Sequence, residues 1–453
     1  MPYELESGGY EKANKLGQSD IVNNELVQQE LGEFEEKKPD TDDIPVEQNT
    51  IGVDRLQPVR PRIEFVISID GSRAEPETDE EYPENRIGFI QLATVLTKLR
   101  EVRAQSGHKF VDPQEVKQIA DSSMTQVVLP STNHRYGGAV DTHESWRKKT
   151  YDIFTDEERE FVPDTTLFDY FHKILIDSAR YENGKAILHS CPNPDCDAGK
   201  QELPSNDVGE CDTCGTSLYP TDTLRTWEKV SNHQPNIAAL NVLMNVMEHL
   251  TLGAFIEFFA EQDPEFLQHV GFIKDGPLAQ FDTGYWIHAP LLRRIHSIYQ
   301  HQSDIGYEPP VIAGVAKTGH FAQHADHVQD MMPRGSVLSM DDDYIYDYVV
   351  TSRKSGQQFG EKTYYGTNFL YKTSSERIFA TTIPRERKGG EITYNPTVYS
   401  TLRRTADLLE EIETALYENS LIPVALANQY ASIPVKTGSK VLSEFVNRVL
   451  NES

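Results

Sequence analysis

Apolar residues in this chain gather into short continuous runs and longer helical stripes, and the two alternate from about residue 60 onward. The run Phe65-Val66-Ile67-Ser68-Ile69 lies in an expected strand over Arg62–Ile69 and stops at Asp70-Gly71-Ser72. β-Branched and aromatic residues at this density favour a strand. A second run, Ile87–Val95, follows the acidic loop Glu75–Glu84, and the two are expected to pair as a hairpin. From Gln234 to about Ala260, Leu240, Met244, Met247, Thr251, Ala254 and Phe258 recur at three- and four-residue steps, which predicts a helix opened by Pro235. After the break at Asp263-Pro264, the run Val270-Gly271-Phe272-Ile273-Lys274 predicts a short strand ending at Asp275-Gly276. Further on come an expected strand over Pro310–Ala316, an aromatic-rich stretch over Tyr364–Phe379 and an expected helix over Pro396–Glu418. Strands and helices interleave, which predicts an α/β fold. There is no internal repeat and no heptad run.

Composition changes this picture at the N-terminus. Residues 1–58 hold 14 Asp and Glu against 5 Lys and Arg, with few aromatics. Such a segment buries too little apolar area to offset its ordering entropy, so it reads as a flexible acidic arm, with Ile21–Leu31 able to form a short amphipathic helix on a partner. The whole chain, 453 residues of which 38% are hydrophobic, is long enough for a sizeable core. No basic-then-apolar leader is visible and no run approaches the roughly 18 apolar residues of a membrane span, so a cytoplasmic protein without membrane association is expected.

The four cysteines fall in one region, as Cys191-x4-Cys196 and Cys211-x2-Cys214. Two close pairs at this spacing are a zinc-ribbon signature, since two knuckles let four thiolates converge on one Zn²⁺. Four protein ligands leave no open position for water, so the expected role is structural. The ribbon is expected as an insertion over residues 188–220 of a larger domain covering 59–453.

Asp70 and Asp275 each end a strand and each precede a glycine. An Asp-Gly pair is by itself a common turn signal. Carboxylates held at strand ends also suit a site for hard divalent cations, with the following glycine permitting close approach of substrate. On the expected helix, Glu248 and Glu257 are nine residues apart and face roughly opposite sides, so one of them can face the strand ends. Lys317 follows the strand ending at Ala316 and is a candidate to hold a phosphate or a leaving oxygen. His320, His324 and His327, with Asp326 or Asp330 nearby, offer a second candidate metal site, although Asp326 lies off the face the histidines share on a helix.

Taken together, Ile67-Ser68-Ile69-Asp70-Gly71-Ser72, Val246-Met247-Glu248-His249-Leu250 and Phe272-Ile273-Lys274-Asp275-Gly276-Pro277-Leu278-Ala279 resemble the NurA nuclease family, in the same order along the chain. Gly314-Val315-Ala316-Lys317-Thr318-Gly319, Tyr365-Gly366 and Ile422-Pro423-Val424-Ala425-Leu426-Ala427 extend the resemblance over most of the chain after residue 60. It is similar to a bacterial type with a zinc-ribbon insertion. The resemblance implies an RNase H-like core, Mn²⁺- or Mg²⁺-dependent exo- and endonuclease action on DNA, a homodimer, and association with a HerA-type hexameric ATPase, in end processing or defence against foreign DNA. It also implies that Asp70, Glu248 and Asp275 are the metal-binding acids, with Glu257 as the alternative third. One departure stands near the C-terminus, where a Tyr and a His are expected around a Pro-containing strand and Ile422 and Asn428 occur instead. Asn428 cannot titrate.

The formal net charge of −28, of which the arm accounts for −9, opposes unaided attraction of DNA. A partner that delivers DNA resolves the conflict. Two other readings remain: a NurA-like binding or regulatory subunit that has lost catalysis, suggested by the missing Tyr and His, and a zinc-ribbon nucleic-acid binder without chemistry.

Overall fold

The computed structural model describes residues 22–34, 44–57, 59–78, 84–105, 120–159, 161–350, 358–388, 391–414 and 420–433, together with residue 82 and four positions between 442 and 449. Its centre is a nine-stranded mixed sheet. In chain order the strands are β1 (Thr50–Gly52), β2 (Phe65–Ala74), β3 (Ile87–Lys98), β4 (Ala120–Pro130), β5 (Val270–Asp275), β6 (Val311–Ala316), β7 (Ser336–Ser339), β8 (Gly366–Lys372) and β9 (Ile378–Pro384). Across the sheet they run β1-β7-β8-β9-β6-β5-β2-β3-β4.

β2, β3 and β4 form an antiparallel meander, with Ile69 opposite Thr94 and Thr94 opposite Ser123. β5 then lies parallel to β2, and β6 parallel to β5. Three antiparallel strands whose first member is extended by two parallel ones give the order expected of an RNase H-like core. The parallel strands are covered on both faces, which is why β5 and β6 read as unbroken apolar runs rather than alternations.

Seven helices matter for the site: α1 (Thr142–Thr155), α2 (Leu167–Ile176), α3 (Ile237–Gln262), α4 (His288–Asp304), α5 (His320–Val328), α6 (Leu402–Ile412) and α7 (Ile422–Ala431). On one face Ile67, Ile69, Leu92, Phe272 and Ile312 pack against Leu240, Leu243, Met244 and Met247 of α3, with α1, α2 and α4 behind it. On the other face Val66, Val95, Ile273, Ala313 and Val315 pack against α6 and α7 through Leu402, Leu409, Val424 and Leu426. A third cluster joins α5 to β7, β8 and β9.

Several expectations are corrected in detail. α3 begins at Ile237, two residues after Pro235. It is long and apolar enough to cross a membrane by length and composition, contrary to the reading that no run qualifies, but 83% of its apolar window is buried inside the fold. The helix expected over Pro396–Glu418 is the shorter α6, preceded by a single turn at Pro396–Val398. The Pro-containing strand near the C-terminus is instead α7, because Pro423 in its first turn lacks only an N–H that no helix would use there. The aromatic-rich stretch becomes the hairpin β8–β9, fully buried along both strands.

The expected arm does not extend as far as residue 58. Thr50–Gly52 pairs with β7, and Val46, Val53 and Leu56 are buried. Further out, Glu25–Gly32 is a helix capped by the Asn24 side chain, with Leu26 and Leu31 exposed. Residues 1–21, 35–43 and 58 of the expected arm lie outside the described residues.

Candidate active site

The parallel pairing sets the site. Because Ile69 lies opposite Lys274, Asp70 and Asp275 come next on neighbouring strands and stand side by side. β6 brings the third strand end, and the Lys317 ammonium lies 2.8 Å from Asp275 Oδ2. Carboxyl ends of adjacent parallel strands are where open α/β sheets place ligands. The turn after Asp275 is fixed by Gly276 at φ 88°, by the Gly276 N–H donating to the Val315 carbonyl, and by the Leu278 N–H donating to Thr382 Oγ1 at 2.7 Å.

Glu248 arrives from α3, on the face opposite α7. A Cβ on Gly71 would meet Glu248 Oε1 at 2.6 Å and Met244 Cγ at 2.8 Å, so the missing side chain is what lets the helix carboxylate reach the strand end. Glu248 is 5% exposed and Lys274 4%, and their charged atoms are 2.8 Å apart. The Lys274 ammonium also donates to the Asp275 carbonyl at 2.8 Å. A buried carboxylate is stable only with such a partner.

Asp70 carries the electrostatic consequence. Its pKa is raised to about 7, first by desolvation and then by the negative charges of Asp275 and Glu248. The Gly71 N–H and the Lys274 charge oppose the rise but do not cancel it. Three carboxylates therefore share two ammonium groups, leaving one anion poorly balanced, as in sites built to receive a cation.

Glu257 is placed elsewhere. It pairs with Lys173 and Arg294 on the far side of α3, which removes it as the third acid. Beside Glu248, His249 is fully buried, with Nδ1 2.7 Å from the Tyr365 hydroxyl. Burial keeps the His249 imidazole neutral by lowering its pKa well below the usual value. The pair ties α3 to the start of β8. Neither Lys274 nor this pair was assigned a role from sequence: a lysine inside an apolar strand reads as a surface position, and the partner of His249 lies 116 residues away.

Asn428 is an exposed residue of α7, a helix that packs on β2 and whose end is tied to it by Ser72 Oγ donating to the Ala431 carbonyl. The three histidines are not gathered tightly enough to hold an ion. His324 is buried against the Tyr344 hydroxyl at 2.9 Å, and desolvation lowers its pKa to about 4. It is largely buried in α5 and, with His320 and His327, lines one small surface hollow.

The cysteines do converge. All four sulfurs lie within 4.8 Å of one another, with Cys191 and Cys214 3.7 Å apart and Cys196 and Cys211 4.0 Å apart. The edge of a tetrahedron with ~2.3 Å zinc–sulfur bonds is about 3.8 Å. Each knuckle is closed by backbone bonds, Cys196 N–H to the Asn193 carbonyl and Gly215 N–H to the Cys211 carbonyl, the second with Gly215 at φ 72°. Donor type, number and spacing all fit a structural Zn²⁺. Burial pushes the Cys191 thiol up to about 12, while bonds from Thr216 bring Cys214 down to about 6. Among the described residues these thiols are the one group of three or more ligand side chains gathered tightly enough for an ion. At the acidic site the donors are right for a hard cation, but the ammonium groups of Lys274 and Lys317 lie against two of the three carboxylates.

Fold and site together define a mixed α/β protein with strand-end carboxylates on a nine-stranded sheet and a cluster of four cysteines. No protein-family model and no curated protein matches this sequence. Among solved structures, the chain is similar to the NurA nuclease from Sulfolobus solfataricus, at 7% identity and a TM-score of 0.40, covering 97% of this chain and 98% of that one. Residue roles do not transfer at that level of similarity.

Proposed function

We propose that this protein is a metal-dependent DNA nuclease of the NurA type. The observation that carries the reading is the convergence of Asp70, Asp275 and Glu248 at two parallel strand ends, with Asp70 poised near neutrality by burial and by the other two charges. Asp70, Glu248 and Asp275 would hold Mn²⁺ or Mg²⁺. When bound, such a cation supplies a lowered pKa for attacking water and neutralises charge at the phosphate. Lys317, about a quarter exposed at the rim, is the group able to leave Asp275 and take the phosphate. Lys274 is locked between Glu248 and the Asp275 backbone and keeps both in place.

The net charge of −28 supports delivery of DNA by a partner, for which a HerA-type hexameric ATPase is our proposal, with this chain acting as a homodimer in the cytoplasm. DNA end processing and defence against foreign DNA both suit such a pair. Zinc at the four cysteines is structural.

One observation favours a second reading. Both basal ammonium groups already neutralise carboxylates, and Asn428 stands where a titrating residue is expected, as in a subunit that keeps the fold without catalysis. Cleavage of labelled single- and double-stranded DNA in Mn²⁺ or Mg²⁺, with and without the ATPase, separates the two. The nuclease reading predicts divalent-dependent products in at least one arm; no products in any arm would leave the non-catalytic subunit.

A further inference from the structure

A cleft of about 800 Å³ opens beside the acidic site. The two are continuous: Ala316 and Thr318, on either side of Lys317, line the cleft, as does Pro277, two residues after Asp275. Its wall is aromatic. Phe281 meets Tyr364 edge to face at 5.7 Å, Tyr364 packs on Phe359 at 5.2 Å, and Phe359 meets Phe321 at 5.5 Å. Phe281 itself is 44% exposed, a large ring left open to solvent next to charged chemistry.

This wall is held rigidly. The loop after Asp275 is clamped to the segment before β8 by Gln280 N–H donating to the Thr363 carbonyl and by the Tyr365 N–H donating to the Leu278 carbonyl. Ala279 and Tyr364 also pair as an isolated bridge. The charge of the cleft departs from that of the molecule. In a chain with 71 acids against 43 Lys and Arg, a single acid among the described residues, Glu361, lines it, beside Lys362.

We propose that this cleft is a stacking subsite for the unpaired bases of single-stranded DNA, with Phe281 as the exposed face on which a base next to the scissile phosphate rests. This inference rests on the nuclease reading for the position of the phosphate. A duplex end keeps its bases paired, so the site favours a strand already separated from its complement. Aromatic rings accept every base, which gives strand selectivity without sequence selectivity. A preformed ring also costs little ordering on binding.

The test uses the full-length chain carrying Asp70→Asn to prevent turnover, at low ionic strength, and an oligonucleotide with 2-aminopurine at successive positions. Quenching at one or two adjacent positions is expected. Adding Phe281→Ala should abolish that quenching and weaken binding about 5- to 100-fold, the effect of one lost base–aromatic contact. Phe281→Trp should restore both. An oligonucleotide made abasic at the quenched positions should bind the parent as weakly as the Phe281→Ala chain binds the intact strand. Equal binding of abasic and intact strands, unaltered binding after Phe281→Ala, or no binding by the parent would overturn the subsite. Cleavage by the wild type in Mn²⁺ is scored separately: base-dependent binding without cleavage keeps the subsite and removes the nuclease reading, and cleavage indifferent to Phe281→Ala and to abasic positions does the reverse.

Discussion

Asp70 is the residue at which position and chemistry meet. Its anion is opposed by burial and by two neighbouring carboxylates, so the folded pKa of about 7 lies above the ordinary value of 3.8. The sign of the linkage follows: this group's contribution to stability is fully present below pH 4 and is lost as pH rises through 7. The excess free energy of the anion is at most about 4 kcal/mol, reduced by partial solvent access. Asp70→Asn is therefore expected to gain about 1–2 kcal/mol at pH 7.5 in chelator and nothing at pH 4, measured by denaturant unfolding at both. Lys274→Met should act in the opposite direction. It strands the buried Glu248 carboxylate and is expected to cost about 3–5 kcal/mol, with Lys274→Met/Glu248→Gln recovering part of the loss in the same measurement. A single variant less stable by under about 0.5 kcal/mol would show that the pair is not buried in solution.

Elements explain why some of this was legible in the chain and some was not. β2 and β5 were readable because a parallel strand covered on both faces shows as an apolar run, and each ends on Asp-Gly. Glu248 and Glu257 were not separable by periodicity. α3 is apolar almost all round, so its pattern marks no single inward face, and only the strand packed beneath it decides. Glu257→Gln is thus expected to lower stability by breaking its links to Lys173 and Arg294 while leaving cleavage within about twofold, whereas Glu248→Gln should remove cleavage. The strand that the family resemblance implied around Pro423 is the helix α7, and the short apolar stretch Ile422–Ala427 carries no periodicity that separates the two. The four-cysteine cluster was readable from spacing alone, yet its place in the core was not: Cys191 and Cys211 are buried with Leu188, Leu203 and Leu218. Removing zinc should therefore destabilise the main domain and not the ribbon alone. One zinc per chain is expected by metal analysis, and chelation should lower the melting temperature of the whole chain in a single transition.

At the scale of the whole molecule, a sheet of nine strands brings together residues from positions 70, 248, 275 and 317, separated by up to 247 positions in sequence. Hairpin pairing of β2 and β3 is local and was expected from sequence; the parallel β2–β5 pairing that makes the site spans about 200 residues and has no local signature. The two candidate sites differ in chemistry: one gathers soft thiols, the other hard carboxylates with a rim lysine. On the proposed reading, a net charge of −28 favours delivery of DNA by a partner. The proposed nuclease chemistry is tested most directly by cleavage of DNA in Mn²⁺ by the wild type and by Asp70→Asn, both zinc-loaded and supplied with the ATPase. Divalent-dependent cleavage by the wild type is expected, with a loss of about a thousandfold or more in the variant and folding intact. Cleavage retained by Asp70→Asn would contradict this.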